Sequence, residues 1–355
     1  MLLLSETDKK ILEQYSPIPN GKAFSEKSVF HYSVANKDVS VIVPCYNSQE
    51  YLNECLKSIL QQKTNFDFEV IAVNDGSTDD TGSILDEFAK KYNRLRVITQ
   101  VNKGFSGARN TGISESRGKY LIFVDSDDYI SEEYIEGLMA SAISKQADIA
   151  ACGYYTFDGK KKYKVICPKD EKDLSLLNGC FWAKAFRREL FSHIMLPEGY
   201  WYEDSILTHL IYPLATRIVT VCSCQYAYRS NPNGITKSSI GKLKALDTIY
   251  ITDLMLKIVQ KEFGSCFMES RSYHGVLVEQ FYLNQKRIYK LPQECQKIVF
   301  KCQARIISLY SNSSYQVPFD RKLYVFACEQ GYYRLAMLSL KLDPIFKALK
   351  IIKWE

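Results

Sequence analysis

The sequence predicts an α/β protein, a mostly parallel sheet flanked by helices, continued by an α-helical region. Two patterns carry that prediction. Short β-branched or apolar runs at 39–43, 70–73, 96–99 and 120–124 alternate with stretches whose apolar residues recur every three or four positions. Such alternation implies right-handed crossovers between parallel strands. From about Lys237 onward only the helical period remains.

Taken in order, residues 1–38 are mixed and polar, and Pro17 and Pro19 limit any helix over 2–15. They read as an N-terminal extension packed on the main domain. The run VSVIV at 39–43, closed by Pro44, is a buried strand. The next helix has Asn47 and Glu50 spaced as a capping box and pairs Tyr51/Leu52, Cys55/Leu56 and Ile59/Leu60 on one face. A second strand at 70–73 leads to the start signal STDD at 77–80 and a helix with Ile84/Leu85, Phe88/Ala89 and Tyr92 on its inner face. A third strand at 96–99 precedes a short helix over 107–116, and a fourth at 120–124 precedes a helix from near Ser131. Beyond 148–152 the alternation loosens: 160–162 is a lysine-rich hairpin or loop, and 179–190 reads as a strand running into a helix. Helices are predicted over 243–263, 272–289 and 293–310, and 333–354 is basic and apolar with Pro344 limiting its continuity. The resulting division is an extension at 1–38, an α/β domain at 39–235 and a helical domain at 236–355.

Composition narrows the class. The 355 residues are 46% hydrophobic and 24% charged, which excludes a disordered chain, a collagen or a small disulfide scaffold. No run approaches the roughly 18 apolar residues of a spanning helix, and MLLL at the start meets Ser5, Glu6 and Asp8. It reads as neither signal peptide nor anchor. The eleven cysteines are scattered apart from Cys222 and Cys224, a C-x-C spacing with no second pair at zinc distance. They read as reduced thiols of a cytoplasmic protein. Residues 236–355 hold 19 Lys and Arg against 10 Asp and Glu, a charge of +9, so residues 1–235 sum to −3 within the net +6. Such a surface suits phosphates or peripheral contact with an anionic membrane, and equally a solvated helical face. No nucleic-acid module accompanies it.

In an open parallel sheet, ligands bind outside the carboxyl ends of the strands. Three such ends are polar here: PCYN at 44–47, NDGSTD at 74–79 and DSDD at 125–128. Neither G-x-G-x-x-G after the first strand nor a P-loop is present, which argues against a dinucleotide dehydrogenase and a P-loop enzyme. The crevice is acidic. Carboxylates this close repel one another, and a hard cation such as Mg²⁺ or Mn²⁺ offsets that cost while taking further oxygens from phosphate. The stretch NKGFSGARNTG at 102–112 adds flexible glycines, Lys103 and Arg109 at a helix start, a natural neighbour for an anion.

Five motifs in order, VSVIVPCYN, VNDGSTDDT, NKGFSGARNTG, FVDSDD and WYEDS, resemble those of the family 2 glycosyltransferases, the inverting enzymes of GT-A fold that use nucleotide sugars. The resemblance covers about 39–235 and leaves the helical third outside it. It implies that Pro44, Tyr46, Asp75, Lys103, Gly104, Arg109, Asp125, Ser126 and Arg229 border the donor, with Asp75 accepting from the base. Asp125 and Asp127 match the family's D-x-D, the metal carboxylates, with Asp128 behind them. Asp204 matches the general base, and Glu203 is its neighbour and alternative. Tyr228-Arg229, near 233–235, resembles a late Tyr-Arg segment that approaches the diphosphate, although the residues after it depart from the usual charged pattern. Trp201 is a candidate for stacking on a sugar, or a core residue.

The chemistry is consistent with these roles. A leaving diphosphate needs its charge neutralised, and the attacking hydroxyl needs a carboxylate to take its proton. One base without an enzymic nucleophile implies a single displacement with inversion. Glu203-Asp204 also reads as an N-cap ahead of Ile206, and His209 as a packed histidine rather than a metal or phosphate contact. The expected activity is metal-dependent transfer from a nucleotide sugar, a UDP-sugar by resemblance, to a hydroxyl of a cell-surface glycan. That acceptor would be lipid-diphosphate-linked or protein-linked, met in the cytoplasm or at the inner membrane face. The alternatives are a nucleotidyltransferase, for which PCYN is a poor phosphate loop, and a non-catalytic nucleotide-sugar or glycan-binding protein.

Overall fold

A computed structural model describes residues 3–24, 35–159, 161–170, 173, 177, 179–231, 239–309 and 316–352. The chain divides into two compact units: one of residues 20–199 and 206–234, the other of 1–19, 200–205 and 235–355.

The first unit is built on a mixed sheet of order β3-β2-β1-β4-β8-β6-β9-β5, with β7 paired to β6. Its first half is parallel. β1 (Lys37–Cys45) lies between β2 (Phe68–Asp75) and β4 (Gly118–Phe123), with Val41 opposite both Val70 and Ile122, and β3 (Leu95–Gln100) pairs with β2. Every residue of β2 and the last seven of β1 are buried, the pattern of strands covered on both faces. The other half mixes directions. β8 (Lys184–Arg187) is antiparallel to β4 and to β6 (Ile149–Phe157), while β9 (Ile218–Arg229) runs parallel to β6 and takes β5 (Tyr129–Ile130) antiparallel at the edge. The lysine-rich segment is a hairpin, since β7 (Lys162–Ile166) returns along β6; Lys160 lies outside the described residues.

Helices α2 (Leu52–Leu60), α3 (Thr81–Lys91), α4 (Gly104–Ser114) and α5 (Tyr134–Ser144) flank this sheet. Two differ from the sequence reading. The capping box at Asn47 is not formed: Asn47 takes φ 47° and its Oδ1 accepts the Thr78 N–H at 2.9 Å, so the side chain links two strand ends and the helix begins at Leu52. α4 starts three residues before the predicted 107, turning out of the loop through Gly104 at φ 74°. The segment 179–190 is, as read, a strand that ends in a 3-10 turn, Arg188–Phe191.

The second unit is helical. α6 (Asp247–Met268), broken at Gly264, follows the 3-10 turn Leu243–Leu246, and α7 (Arg271–Ile288), α8 (Gln293–Leu309), α9 (Lys322–Glu329) and α10 (Tyr333–Ile352) complete it. Residues 3–19 belong here rather than with the sheet where the sequence reading packed them. α1 (Glu6–Glu13) is capped by Ser5, Asp253 Oδ1 accepts the N–H groups of Leu3 and Leu4 at 2.9 and 3.1 Å, and Tyr250 donates to the Ser16 carbonyl. Among the described residues, no helix is long and apolar enough to cross a membrane.

One contact sets how closely β4 approaches β1. A Cβ at Gly118 would lie 2.3 Å from the Ser40 nitrogen and 2.5 Å from the Val39 carbonyl carbon, both backbone atoms that cannot move aside. Gly118→Ala is expected to destabilise the fold by about 3 kcal/mol, read as a shifted urea midpoint; an unchanged midpoint contradicts the close approach.

Candidate active site

The carboxyl ends of β1, β2 and β4 lie side by side, because their registers pair Pro44 with Val73 and Ile42 with Phe123. Pro44 is the penultimate residue of β1, and Tyr46, just past the strand, is 50% exposed, a ring open to solvent at the strand ends. At the end of β2, Asp75 is buried and oriented: its Oδ1 accepts Gln100 Nε2 at 2.7 Å and the Lys103 N–H at 2.9 Å. Gln100 is itself fixed by the Thr111 hydroxyl at 2.6 Å, so α4 and β3 together set the Asp75 carboxylate. Lys103 and Gly104 form the turn into α4.

The D-x-D lies just past β4. Asp125 Oδ1 accepts Arg109 Nη2 at 3.0 Å, and the Arg109 guanidinium, nearly buried, lies 5.1 Å from the ring of Phe181. Ser126 shares a 2.7 Å hydroxyl–hydroxyl hydrogen bond with Ser48. Asp127 Oδ2 accepts from the amide of Asn231 at 3.0 Å, and its carbonyl accepts Arg229 Nε at 2.7 Å. Asp128 is fully buried, bonded by the Tyr226 hydroxyl and the Arg229 N–H, both at 2.7 Å. Arg229 also pairs with Glu54 and lies 4.5 Å from the rings of Tyr51 and Phe157. Arg229 therefore sits against the acidic turn despite the atypical residues that follow it; positions 233–235 lie outside the described residues.

Electrostatics follow from this crowding. Burial, and then the charge of Asp125, push the Asp127 carboxyl above the usual range; burial, Asp127 and Asp125 push Asp128 well above it. Among the described residues, no group of three or more His, Cys, Asp or Glu side chains is placed to hold a metal ion by itself. The carboxylates of Asp125 and Asp127 are nevertheless hard oxygen donors, with Asp127 raised by burial, and a divalent cation completed by phosphate oxygens fits such a pair.

Glu203, Asp204 and Trp201 belong to the helical unit, on the segment Tyr200–Ser205. Tyr202 in its middle takes φ 66°, left-handed backbone rarely adopted by an aromatic residue. The Trp201 N–H donates to Asp247 Oδ2 at 2.8 Å. After the segment comes a π-helical turn, Leu207–Ile211, a form frequent at functional sites. His209 within it is fully buried, and burial pushes its imidazole down to about 4, so it stays neutral at pH 7.

Sequence reasoning did not single out Glu54, Asn231, Tyr226 or Ser48, which hold Arg229, Asp127, Asp128 and Ser126. None carries a motif, and all act across 78 to 175 residues of chain. Cys45 and Cys55 are buried thiols, raised by that burial.

Residues 40–194 match the family model for glycosyl transferase family 2. The chain is 34% identical to the glycosyltransferase GlyG of Streptococcus pneumoniae over 65% of its own length and 81% of GlyG. It is 37% identical to EpsJ, an uncharacterized glycosyltransferase of Bacillus subtilis, over 56% of its length and 63% of EpsJ. The chain belongs to the family 2 glycosyltransferases. Its fold is that of Staphylococcus aureus TarS residues 1–349, solved with UDP-GlcNAc: TM-score 0.64 at 21% identity, covering 86% of this chain and 91% of that one. A mannosyltransferase of Pyrobaculum calidifontis, solved with GDP-Man and Mn²⁺, has TM-score 0.52 at 15% identity, covering 96% and 92%. At these identities the likeness bears on the fold, a GT-A architecture. The chain spans 63% of EpsJ and 31% of the pneumococcal glycosyltransferase GlyA.

Neutral burial of His209 has a pH signature. Below pH 6.5 the unfolded chain takes up a proton that the folded chain refuses until about pH 4. The stability it contributes is present above pH 6.5 and is lost as the pH falls through that window, roughly 3 kcal/mol in all. His209→Asn is expected to flatten this part of the stability–pH curve relative to the unsubstituted protein; parallel curves contradict a neutral, packed imidazole.

Proposed function

We propose that the protein is a metal-dependent, inverting glycosyltransferase that moves a sugar from a nucleotide sugar, most simply a UDP-sugar, to a hydroxyl of a cell-surface glycan. The observation that carries this reading is the turn Asp125–Asp128, three carboxylates gathered at a strand end beside the guanidinium groups of Arg109 and Arg229. Asp127, with Asp125, would hold Mn²⁺ or Mg²⁺. An ion bound there supplies neutralisation of the charge that develops on the leaving diphosphate.

The chain's own residues do the rest. Tyr46 and Pro44 border the nucleotide, Asp75 accepts from the base, and Ser126, Lys103 and Gly104 line the donor. Arg109 orients Asp125 and so sets the D-x-D before the donor arrives. Arg229 lends positive charge near the diphosphate. Asp204 takes the proton of the attacking hydroxyl as that oxygen bonds to the anomeric carbon and the diphosphate leaves, a single displacement that inverts the centre. Trp201 is the candidate sugar contact. For the acceptor, the names of the relatives TarS, a poly(ribitol-phosphate) β-N-acetylglucosaminyltransferase, and of a poly(ribitol-phosphate) β-glucosyltransferase support a surface polymer hydroxyl.

Melting temperature measured with nucleotide diphosphates and nucleotide sugars, with and without Mn²⁺, tests the donor site. A metal-dependent rise with UDP or a UDP-sugar is expected, about 2.7 kcal/mol of stabilisation at 100-fold over Kd; no rise with any nucleotide in folded protein overturns the reading. Asp127→Ala is expected to abolish the metal-dependent part of that rise. Asp204→Asn should keep the rise while transfer falls by about 10³-fold, and equal loss of donor binding in both variants contradicts this division of roles.

A further inference from the structure

The segment Tyr200–Ser205 carries the carboxylate to which the proposed mechanism assigns proton transfer, and its backbone is held in a costly conformation. Tyr202, directly before Glu203 and Asp204, has φ 66°. A bulky side chain stays there only where its surroundings over-determine it. The helical unit supplies those surroundings. On one side of Tyr202, the Trp201 N–H donates to Asp247 Oδ2 at 2.8 Å, and the same oxygen accepts Lys244 Nζ at 2.8 Å. On Tyr202 itself, the Arg287 guanidinium lies 3.9 Å from the ring centroid. Arg287 is fixed in turn: its Nη1 donates to the Thr248 hydroxyl at 2.9 Å, which donates to Asn284 Oδ1 at 2.7 Å. At the start of the segment, the Tyr200 hydroxyl donates to the Pro19 carbonyl at 2.7 Å.

Asp247 is an expensive way to hold one peptide N–H. Its side chain is wholly buried, its only ion-pair partner among the described residues is the partly exposed Lys244, and burial raises its carboxyl above the usual range. A neutral acceptor would cap the same N–H at a smaller desolvation cost. What the carboxylate adds is a rigid, charge-assisted anchor two residues before Glu203 and three before Asp204.

We propose that Asp247 and Arg287 are positioning residues for the reaction: they fix the left-handed turn at Tyr202 and through it the aim of the Asp204 carboxylate. This inference rests on the reading of Asp204 as the base. It explains why the segment Tyr200–Ser205 groups with the helical unit and not with the sheet on either side of it in sequence. It also gives the C-terminal helices, which lie outside the family motifs, a part in positioning the base.

The test uses the full chain, Mn²⁺, and whichever of UDP-glucose, UDP-galactose and UDP-GlcNAc releases UDP fastest. Asp247→Ala is expected to lower kcat about 100-fold, the usual effect of a misaimed reacting group, with the donor KM and UDP affinity by calorimetry within twofold. Asp247→Asn, which keeps an oxygen for the Trp201 N–H, should recover at least tenfold of that loss. Amide exchange over 200–205 should quicken in the alanine variant and not in the asparagine one. Wild-type kcat in folded Asp247→Ala overturns the proposal, as does a fall in UDP affinity that matches the fall in kcat. If Asp247→Ala does not fold, Arg287→Ala carries the same expectation, and wild-type kcat there overturns it. Asp204→Asn measured alongside separates the two levels: intact turnover in that variant overturns the base assignment together with this inference, whereas an inactive Asp204→Asn beside a fully active Asp247→Ala overturns the positioning role alone.

Discussion

Three carboxylates within four residues, set just past the end of β4, crowd one another, and the polar and charged groups of the sheet unit are arranged around that crowding. Each is answered separately. Asp125 has Arg109 from α4, Asp127 has the Asn231 amide and the adjacent Arg229, and Asp128 is satisfied by Tyr226 and the Arg229 backbone. The compensation is partial: Asp127 and Asp128 remain harder to ionise than an ordinary carboxyl. That residual cost suits a site completed by a cation and a diphosphate rather than by further protein groups.

The sheet supplies these answers through its change of direction. Parallel β3, β2, β1 and β4 bring their carboxyl ends together, so Asp75, Pro44 and Asp125 come to one edge by topology alone. Arg229 and Tyr226 need β9 to be delivered to the same place. β9 reaches it by pairing parallel with β6, which is joined to β4 through antiparallel β8, and β5 locks against β9 directly after Asp128. The mixed half of the sheet is therefore part of how the acidic turn is held, not an appendage to the parallel half.

The helical unit has a different task. Its own core is aliphatic and aromatic, yet it buries Asp247, Asp253, Asn284 and Arg321 as well. Asp253 ties down the start of the chain, and Arg321 gathers Glu279, Asp320 and Asp343. Asp247 and Arg287 are turned toward Tyr200–Ser205. A protein that joins the family 2 glycosyltransferases by its sheet thus keeps one of its motif segments among helices that the motifs do not describe.

The strand and helix order was legible in the sequence because buried parallel strands must be nearly continuous apolar runs, and VSVIV and YLIFV have no other plausible use. The acidic turn and the Arg109 loop were legible too, since short-range spacing places such groups at strand ends whatever the rest of the chain does. Local signals failed where a side chain found a distant partner: Asn47 looked like a helix cap but bonds across to Thr78, and residues 3–19 looked like an extension packed on the sheet domain but are tied to Asp253 and Tyr250. Nothing in the spacing of Glu54, Asn231 or Asp247 marks them, because a hydrogen bond spanning 46 to 175 residues leaves no period to read. The sequence by itself determined the order of strands and helices and which acidic and basic residues stand at the strand ends. Only the tertiary structure decided which buried partners hold them in place, because those partners are chosen by three-dimensional proximity and by the need to satisfy every buried charge.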